Sequence, residues 1–332
     1  MDISRIPSNG VIFTWLMDSE SPGKEVSIAE LGNLRLEPTQ SLWLHLNYSN
    51  SQVQSWLRSS NQLPDDITEI IREDVARVRQ KTFTKAASSQ LIFFNDFEKV
   101  FTGNSSEEIA TLWLVTIDNI IITLRPHAIQ STDVLRSQLR NGRMQAQSTA
   151  DIYRLLLDIR EERLHQHANS LMDWMDQLEE VIIRGETLPE HETLGRIRIQ
   201  CNRMRRYFSP ELIALNHLLR HQPFWIDAQN LEEINELTEK LSVLVQELNH
   251  LYERAKVLQD EQAAHIAEFN ANNLHILSVM TVIFLPMTLI TGIMGMNMED
   301  LPGLKGSFNE VALFMLLAGI LMFAFLRIRK II

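Results

Sequence analysis

Cysteine is almost absent from this chain: of 332 residues only Cys201 carries a thiol. An internal disulfide framework and a multi-cysteine metal site are both excluded, and such usage fits a reducing compartment. Basic charge is also in deficit, with 31 Lys and Arg against 42 Asp and Glu, a net charge of -11. A nucleic-acid binder normally presents a basic field, so nucleic acid is not an expected partner, and cations suit the chain better. No glycine-rich phosphate loop, recognisable nucleophile or metal-ligand cluster occurs, which leaves an enzyme reading without support. The N-terminal stretch MDISRIPSNGVIF lacks a basic region followed by an apolar one, so no secretory signal is expected.

Apolar residues are instead concentrated near the C-terminus. Leu274 to Met296 is a run of 23 residues without Asp, Glu, Lys or Arg, which at ~1.5 Å per residue crosses the ~30 Å bilayer core. A second run begins at Val311 and is extended to Ile328 by the stems of Arg327, Arg329 and Lys330. The expected membrane domain is therefore 274–332, with a first span at 274–296, an external loop at 297–310 and a second span at 311–328. Arg327, Arg329 and Lys330 follow the second span, whereas the loop carries Glu299, Asp300 and Glu310 against one Lys. The positive-inside rule then places both termini in the cytoplasm.

Before the spans, 1–145 reads as an α/β layer with strands at Val11 to Met17, Ser41 to Asn47 and Leu91 to Phe97. Thr111 to Leu124 reads as two strands joined by a turn at Asp118-Asn119, and Ser51 to Ser60 and Pro64 to Glu73 read as helices. The sheet order is not given by these patterns. Residues 146–273 read as long helices: Thr149 to Gly185, Pro189 to about His221, and one from Asn230 that meets no Gly or Pro before Pro286. A helix continuous to Gly295 is a stalk that couples the cytosol to the membrane. The predicted fold class is an α+β cytoplasmic domain, an α/β layer plus long helices, with a continuous stalk helix and a two-helix transmembrane hairpin.

Gly295-Met296-Asn297, directly after the first apolar run and before a short loop and one last span, resembles the signature of the CorA metal-ion transporter superfamily. The stretches WLHLNY at Trp43 to Tyr48, RMRRYFSP at Arg203 to Pro210 and FLPMTLITG at Phe284 to Gly292 resemble its zinc-transporting ZntB branch. The loop MEDLPGLKG is nearer in shape to the zinc branch than to the magnesium branch, although Met296, Glu299 and Asp300 depart from what zinc-branch members often carry. The resemblance implies a funnel-like homopentamer in the bacterial inner membrane with a central pore lined by the first span. Its cargo is a divalent cation, with Zn2+ favoured, Mg2+, Co2+ or Ni2+ the alternative, and proton coupling suggested.

Every third and fourth residue, alternately, before Gly295 lies on one stripe of the helix: Gly292, Thr288, Leu285, Thr281, Ser278 and Leu274, then Ala271, Ala267, Ala264 and Asp260. Hydroxyls alternate there with Leu, so Leu274, Ser278, Thr281, Leu285, Thr288 and Gly292 are the candidate pore-lining residues. The alternative reading is that the stripe packs against the second span. Asp260, Glu299 and Asp300 are the candidate metal-contacting carboxylates, and the only plausible titrating groups on the path. His165 and His167 lie two residues apart and point to different sides of a helix, so they form no zinc pair. A membrane-anchored coiled-coil scaffold explains the stalk and hairpin but not the placement of Gly295-Met296-Asn297.

Overall fold

The computed structural model describes residues 6–59, 85–86, 89–99, 108–184, 191–294 and 308–329. The expected helix at Pro64 to Glu73 lies outside them. The chain divides into two compact units, Met1–Lys256 and Val257–Ile332.

In the first unit, β1 (Val11–Asp18), β2 (Lys24–Glu25), β3 (Gln40–Asn47), β4 (Lys85–Ala86), β5 (Ser89–Phe97), β6 (Ile109–Ile117) and β7 (Ile120–Arg125) form one sheet in the order β2-β1-β3-β7-β6-β5-β4. Neighbours are antiparallel except β3 and β7, which run parallel with Trp43 opposite Ile121. The β6–β7 turn falls where the sequence places it, with Asp118 at φ 46° in the left-handed region that Asp tolerates. All nine residues of β6 are buried, as expected of a strand covered on both faces.

One face is covered by α2 (Ser51–Ser59), whose Val53, Trp56 and Leu57 join Leu42, Leu44 and Leu46 in the core. Trp43 and His45 alternate to the other face, where both side chains meet the Thr123 hydroxyl at 2.9 and 2.7 Å. There the sheet meets α3 (Gln130–Arg140), α4 (Thr149–Ile183) and α5 (His191–His221). The start of α4 is set by a capping box. Ser148 Oγ accepts from the Asp151 N–H at 3.2 Å, and Asp151 Oδ2 accepts from the Ser148 N–H at 2.9 Å. The short α1 (Ile28–Leu31) begins in the same way at Ser27 and Glu30.

Between sheet and helices lies a buried polar knot. Arg160 on α4 pairs with Glu211 on α5, and both are 2% exposed. Glu211 Oε2 accepts from the Asn95 backbone and side chain at 3.0 and 2.7 Å, and Arg160 donates to the Asn95 carbonyl at 3.2 Å. The guanidinium also lies 4.6 Å from the Phe94 ring centroid. Burial pushes the Glu211 carboxyl up, against the pull of Arg160 and the Asn95 donors.

The long helix α6 (Ala228–Met294), which begins in the first unit, starts after Asp227, whose side chain accepts from the Asn230 N–H at 2.9 Å. It holds 67 residues and passes through Pro286 without ending, so the expected uninterrupted helix is present. The final helix is α7 (Phe308–Ile328).

Candidate functional site

The second unit consists of the distal part of α6 and α7. The apolar part of α6 has a mean hydropathy of 2.2, none of it is buried within the chain, and the helix is long and apolar enough to cross a membrane. A shorter apolar helix, Ala312–Ile328, lies within α7.

The two helices meet through small and flexible residues. On α7 the covered positions are Met315, Ala318, Gly319, Met322 and Leu326, spaced three and four apart. Gly319 is where the contact is tightest: a Cβ there would stand 2.1 Å from the Met287 methyl, so the missing side chain lets Met287 seat against the backbone. On α6 the partly covered positions are Val279, Ile283, Pro286, Met287 and Ile290.

Leu274, Ser278, Thr281, Leu285, Thr288 and Gly292 are all exposed. At ~100° per residue their stripe lies roughly 160° around the helix from the Ile283–Met287 face. Within the chain, then, α7 packs on the opposite side of α6 from the stripe.

The hydroxyls on the stripe share one geometry. Ser278 donates to the Leu274 carbonyl at 2.8 Å, Thr281 to Leu277 at 2.8 Å and Thr288 to Phe284 at 2.9 Å. Each hydroxyl proton is thus returned to the backbone one turn earlier, and the oxygen presents outward only lone pairs. An outward acceptor suits a cation or the hydrogens of its water shell. Pro286 has no N–H to give the Val282 carbonyl, which is therefore left without its helical donor.

The remaining site candidates divide between the described residues and the rest. Asp260 is exposed on α6, on the stripe with Ala264 and Ala267. Gly295, Met296, Asn297, Glu299 and Asp300 lie outside the described residues. Among the described residues no three His, Cys, Asp or Glu side chains come together as a metal cage. Cys201 is buried and its thiol is pushed up to about 11 by burial, so it is protonated at neutral pH and a poor metal ligand. His165 is exposed, whereas His167 packs 5.1 Å from the Phe97 ring centroid. The Arg160–Glu211–Asn95 knot escaped the sequence reading because its members are 51 to 116 residues apart. No local spacing connects them.

Residues 39–330 match the family described as CorA-like Mg2+ transporter protein. The chain belongs to the CorA-like family. Its relatives include the divalent cation transporter CmaX of Pseudomonas aeruginosa, 25% identical over 95% of this chain and 94% of that protein. The zinc transport protein ZntB of an Enterobacter species is 22% identical over 88% of this chain and 86% of the relative. In fold, full-length CmaX superposes with a TM-score of 0.80 at 24% identity and 98% coverage of each chain. The CorA magnesium transporter of Methanocaldococcus jannaschii gives 0.69 at 15% identity, covering 95% of this chain and 98% of that one. A mixed α/β unit, a long helix and a C-terminal apolar helix are thus shared with CorA-like structures.

Proposed function

We propose that the protein is a subunit of an oligomeric divalent-cation transporter whose pore is lined by Leu274, Ser278, Thr281, Leu285, Thr288 and Gly292. The observation that carries this reading is the uncovered stripe on α6. It holds outward-facing hydroxyl oxygens and lies on the opposite side from the face packed on α7. A lone helix pair cannot enclose water, so several copies around an axis are needed, a homopentamer on the family resemblance. In that ring Leu274 and Leu285 gate by dewetting, and the hydroxyl oxygens between them receive the ion's water shell.

Gly295-Met296-Asn297 forms the outer entrance, and Glu299 and Asp300 in the loop at 297–310 gather cations before it. The chain comprises an α/β domain at 1–145, long helices at 146–273 and the membrane domain at 274–332. Both termini are cytoplasmic on the placement of Arg327, Arg329 and Lys330, and the membrane is the bacterial inner membrane on the family resemblance.

Zinc is the favoured cargo. It is supported by the WLHLNY, RMRRYFSP and FLPMTLITG stretches and by relatives named zinc transport proteins. Magnesium is supported by the family's description and by the fold shared with a CorA magnesium transporter. The sequence offers no evident thiol or imidazole cage, which supports an ion that moves hydrated or on oxygen ligands. Neither span carries a carboxylate, so proton coupling rests on Asp260, Glu299 and Asp300.

Purified full-length protein in liposomes tests the reading, with zinc and magnesium gradients imposed separately, with and without a proton gradient. Flux of one ion selects the cargo, and its response to the proton gradient settles coupling. If neither ion passes, the membrane-anchored scaffold takes the transporter's place.

A further inference from the structure

Within the first unit two solvent-facing helix surfaces have opposite chemistry. On α5, every third or fourth residue from Ile199 gives Arg203, Arg206, Pro210, Ile213, His217 and Arg220, all at least partly exposed. Ile199 is 61% and Ile213 66% exposed, and the face carries no carboxylate. Arg203, Arg206 and Arg220 make no ion pair among the described residues. Three arginines and two bare isoleucines in a chain of net charge -11 are an unusual concentration.

The complement lies between α4 and α6. A groove of about 410 Å³ is lined by Glu161 and His165 from α4 and by Glu236, Glu239, Lys240, Val243, Leu244 and Glu247 from α6. Val243 is 54% exposed in it. Glu161, Glu236, Glu239 and Glu247 make no ion pair among the described residues, and Glu247 Oε2 has no hydrogen-bond donor. Groove and basic face are thus matched in both charge and apolar content.

They cannot meet within one copy. α5 reaches α6 through Arg198 at the Tyr252 hydroxyl, 3.4 Å, and Arg205 at Asn249, 2.9 Å, and reaches α4 through Arg196 over the Trp174 ring. Trp174 is nine residues beyond His165, about half a turn around α4 at ~100° per residue, and Asn249 and Tyr252 are likewise roughly opposite Val243 and Glu247 on α6. α5 therefore packs behind both groove-forming helices, and its basic face looks away from the groove.

We propose that the basic face of α5 docks into the α4–α6 groove of a second copy of this chain, with Arg203 and Arg206 meeting Glu239 and Glu247. Two different patches meeting head to tail make a heterologous contact, which closes into a ring when the rotation permits. This rests on the oligomeric transporter reading and supplies its cytoplasmic interface. Charge complementarity selects the partner and the register, and the isoleucines and Val243 supply the apolar centre.

The test is a charge swap on the full-length protein in detergent, with oligomer mass measured by light scattering against dilution. Arg203→Glu/Arg206→Glu and, separately, Glu239→Arg/Glu247→Arg are expected to raise the concentration for half-dissociation roughly tenfold or more. The protein carrying all four changes is expected to regain the wild-type value, which also shows that the parts fold. Reversals that leave the mass curve unchanged overturn the interface, as does a quadruple variant that dissociates as readily as the doubles. Loss of binding to vesicles of anionic lipid by Arg203→Glu/Arg206→Glu, with the oligomer intact, assigns the face to the bilayer and equally overturns it. A wild-type protein that is monomeric at every concentration refutes the oligomer itself, a result distinct from failure of this contact alone.

Discussion

Removing either member of the Arg160–Glu211 pair destabilises the first unit, but the two removals differ in size and in pH dependence. Glu211→Ala leaves a guanidinium, 2% exposed, facing Phe94 and Phe208 without its counter-charge, and strips acceptors from the Asn95 N–H and side-chain amide. Arg cannot shed its proton, so this costs about 3–5 kcal/mol. At roughly 2–4 °C per kcal/mol, the melting temperature falls by about 6–20 °C. Arg160→Met keeps an apolar filler between the two rings and leaves Glu211, which can take up a proton. Burial already pushes that carboxyl up, and losing Arg160 removes the largest opposing influence.

Protonating a carboxyl of ordinary pKa 4.5 at pH 7 costs about 3 kcal/mol, and that cost falls by about 1.4 kcal/mol for each unit of acidification. A carboxyl raised in the folded state binds more protons there than in the unfolded chain, so it contributes stability below the unfolded value that is lost as pH rises. Arg160→Met should therefore melt well below wild type at pH 7 and recover several degrees of that deficit at pH 5. Glu211→Ala should show no such recovery. Near-ultraviolet circular dichroism of the detergent-purified protein at both pH values checks this. An Arg160→Met deficit that is equal at pH 5 and pH 7 refutes the reasoning.

Further outcomes concern the membrane unit and its approach. In a Cys201→Ala background, a cysteine substituted at Ser307 should react with an impermeant thiol reagent outside intact cells and one at Ser242 should not; the reverse labelling overturns the orientation. Asp260→Ala should leave the oligomer assembled while reducing the rise in melting temperature that zinc or magnesium gives the wild type; an equal rise in both proteins makes Asp260 a plain surface charge. If Asn297 forms the proposed neutral ring of amide oxygens, which holds a water shell weakly enough to release it, Asn297→Ala should abolish selective flux without loss of assembly. Wild-type flux in that variant leaves Asn297 as a helix C-cap.

What the sequence made legible was local. The Asp118-Asn119 turn and the start of α4 at Thr149 each depend on residues within one or two turns of each other, and each is where the pattern placed it. Strand order was not legible, because the parallel pairing of Leu42–Asn47 with Ile120–Arg125 depends on residues 78 apart. The two-residue edge strands β2 and β4 are too short for any periodicity. In the second unit the stripe could be read from spacing, but its relation to α7 could not. That relation needed Met287 against Gly319, two residues separated by the whole loop.

The division of labour between the two apolar helices is the strongest physical constraint on how the protein works. Val311 to Ile328 contains no hydroxyl, and between Leu313 and Phe325 the exposed residues of α7, among them Phe314, Leu317 and Leu321, are apolar. Such a helix suits lipid on every side except its strip of Ala318, Gly319 and Leu326. On α6 the off-stripe exposed residues include Ile276, Met280, Phe284 and Ile293, equally suited to lipid, while Ser278, Thr281 and Thr288 gather on one line. Returning the hydroxyl protons to the helix makes those oxygens inexpensive to keep in an apolar setting, so they are tolerated without a partner in the same chain. Lipid, however, offers their outward lone pairs no donor, whereas water and cation shells do. A line of acceptors on one side of the helix and close packing on α7 at the other leave its flanks as the surfaces where further copies can stand. In the proposed ring that line faces the axis, and it becomes wet only when the ring is complete.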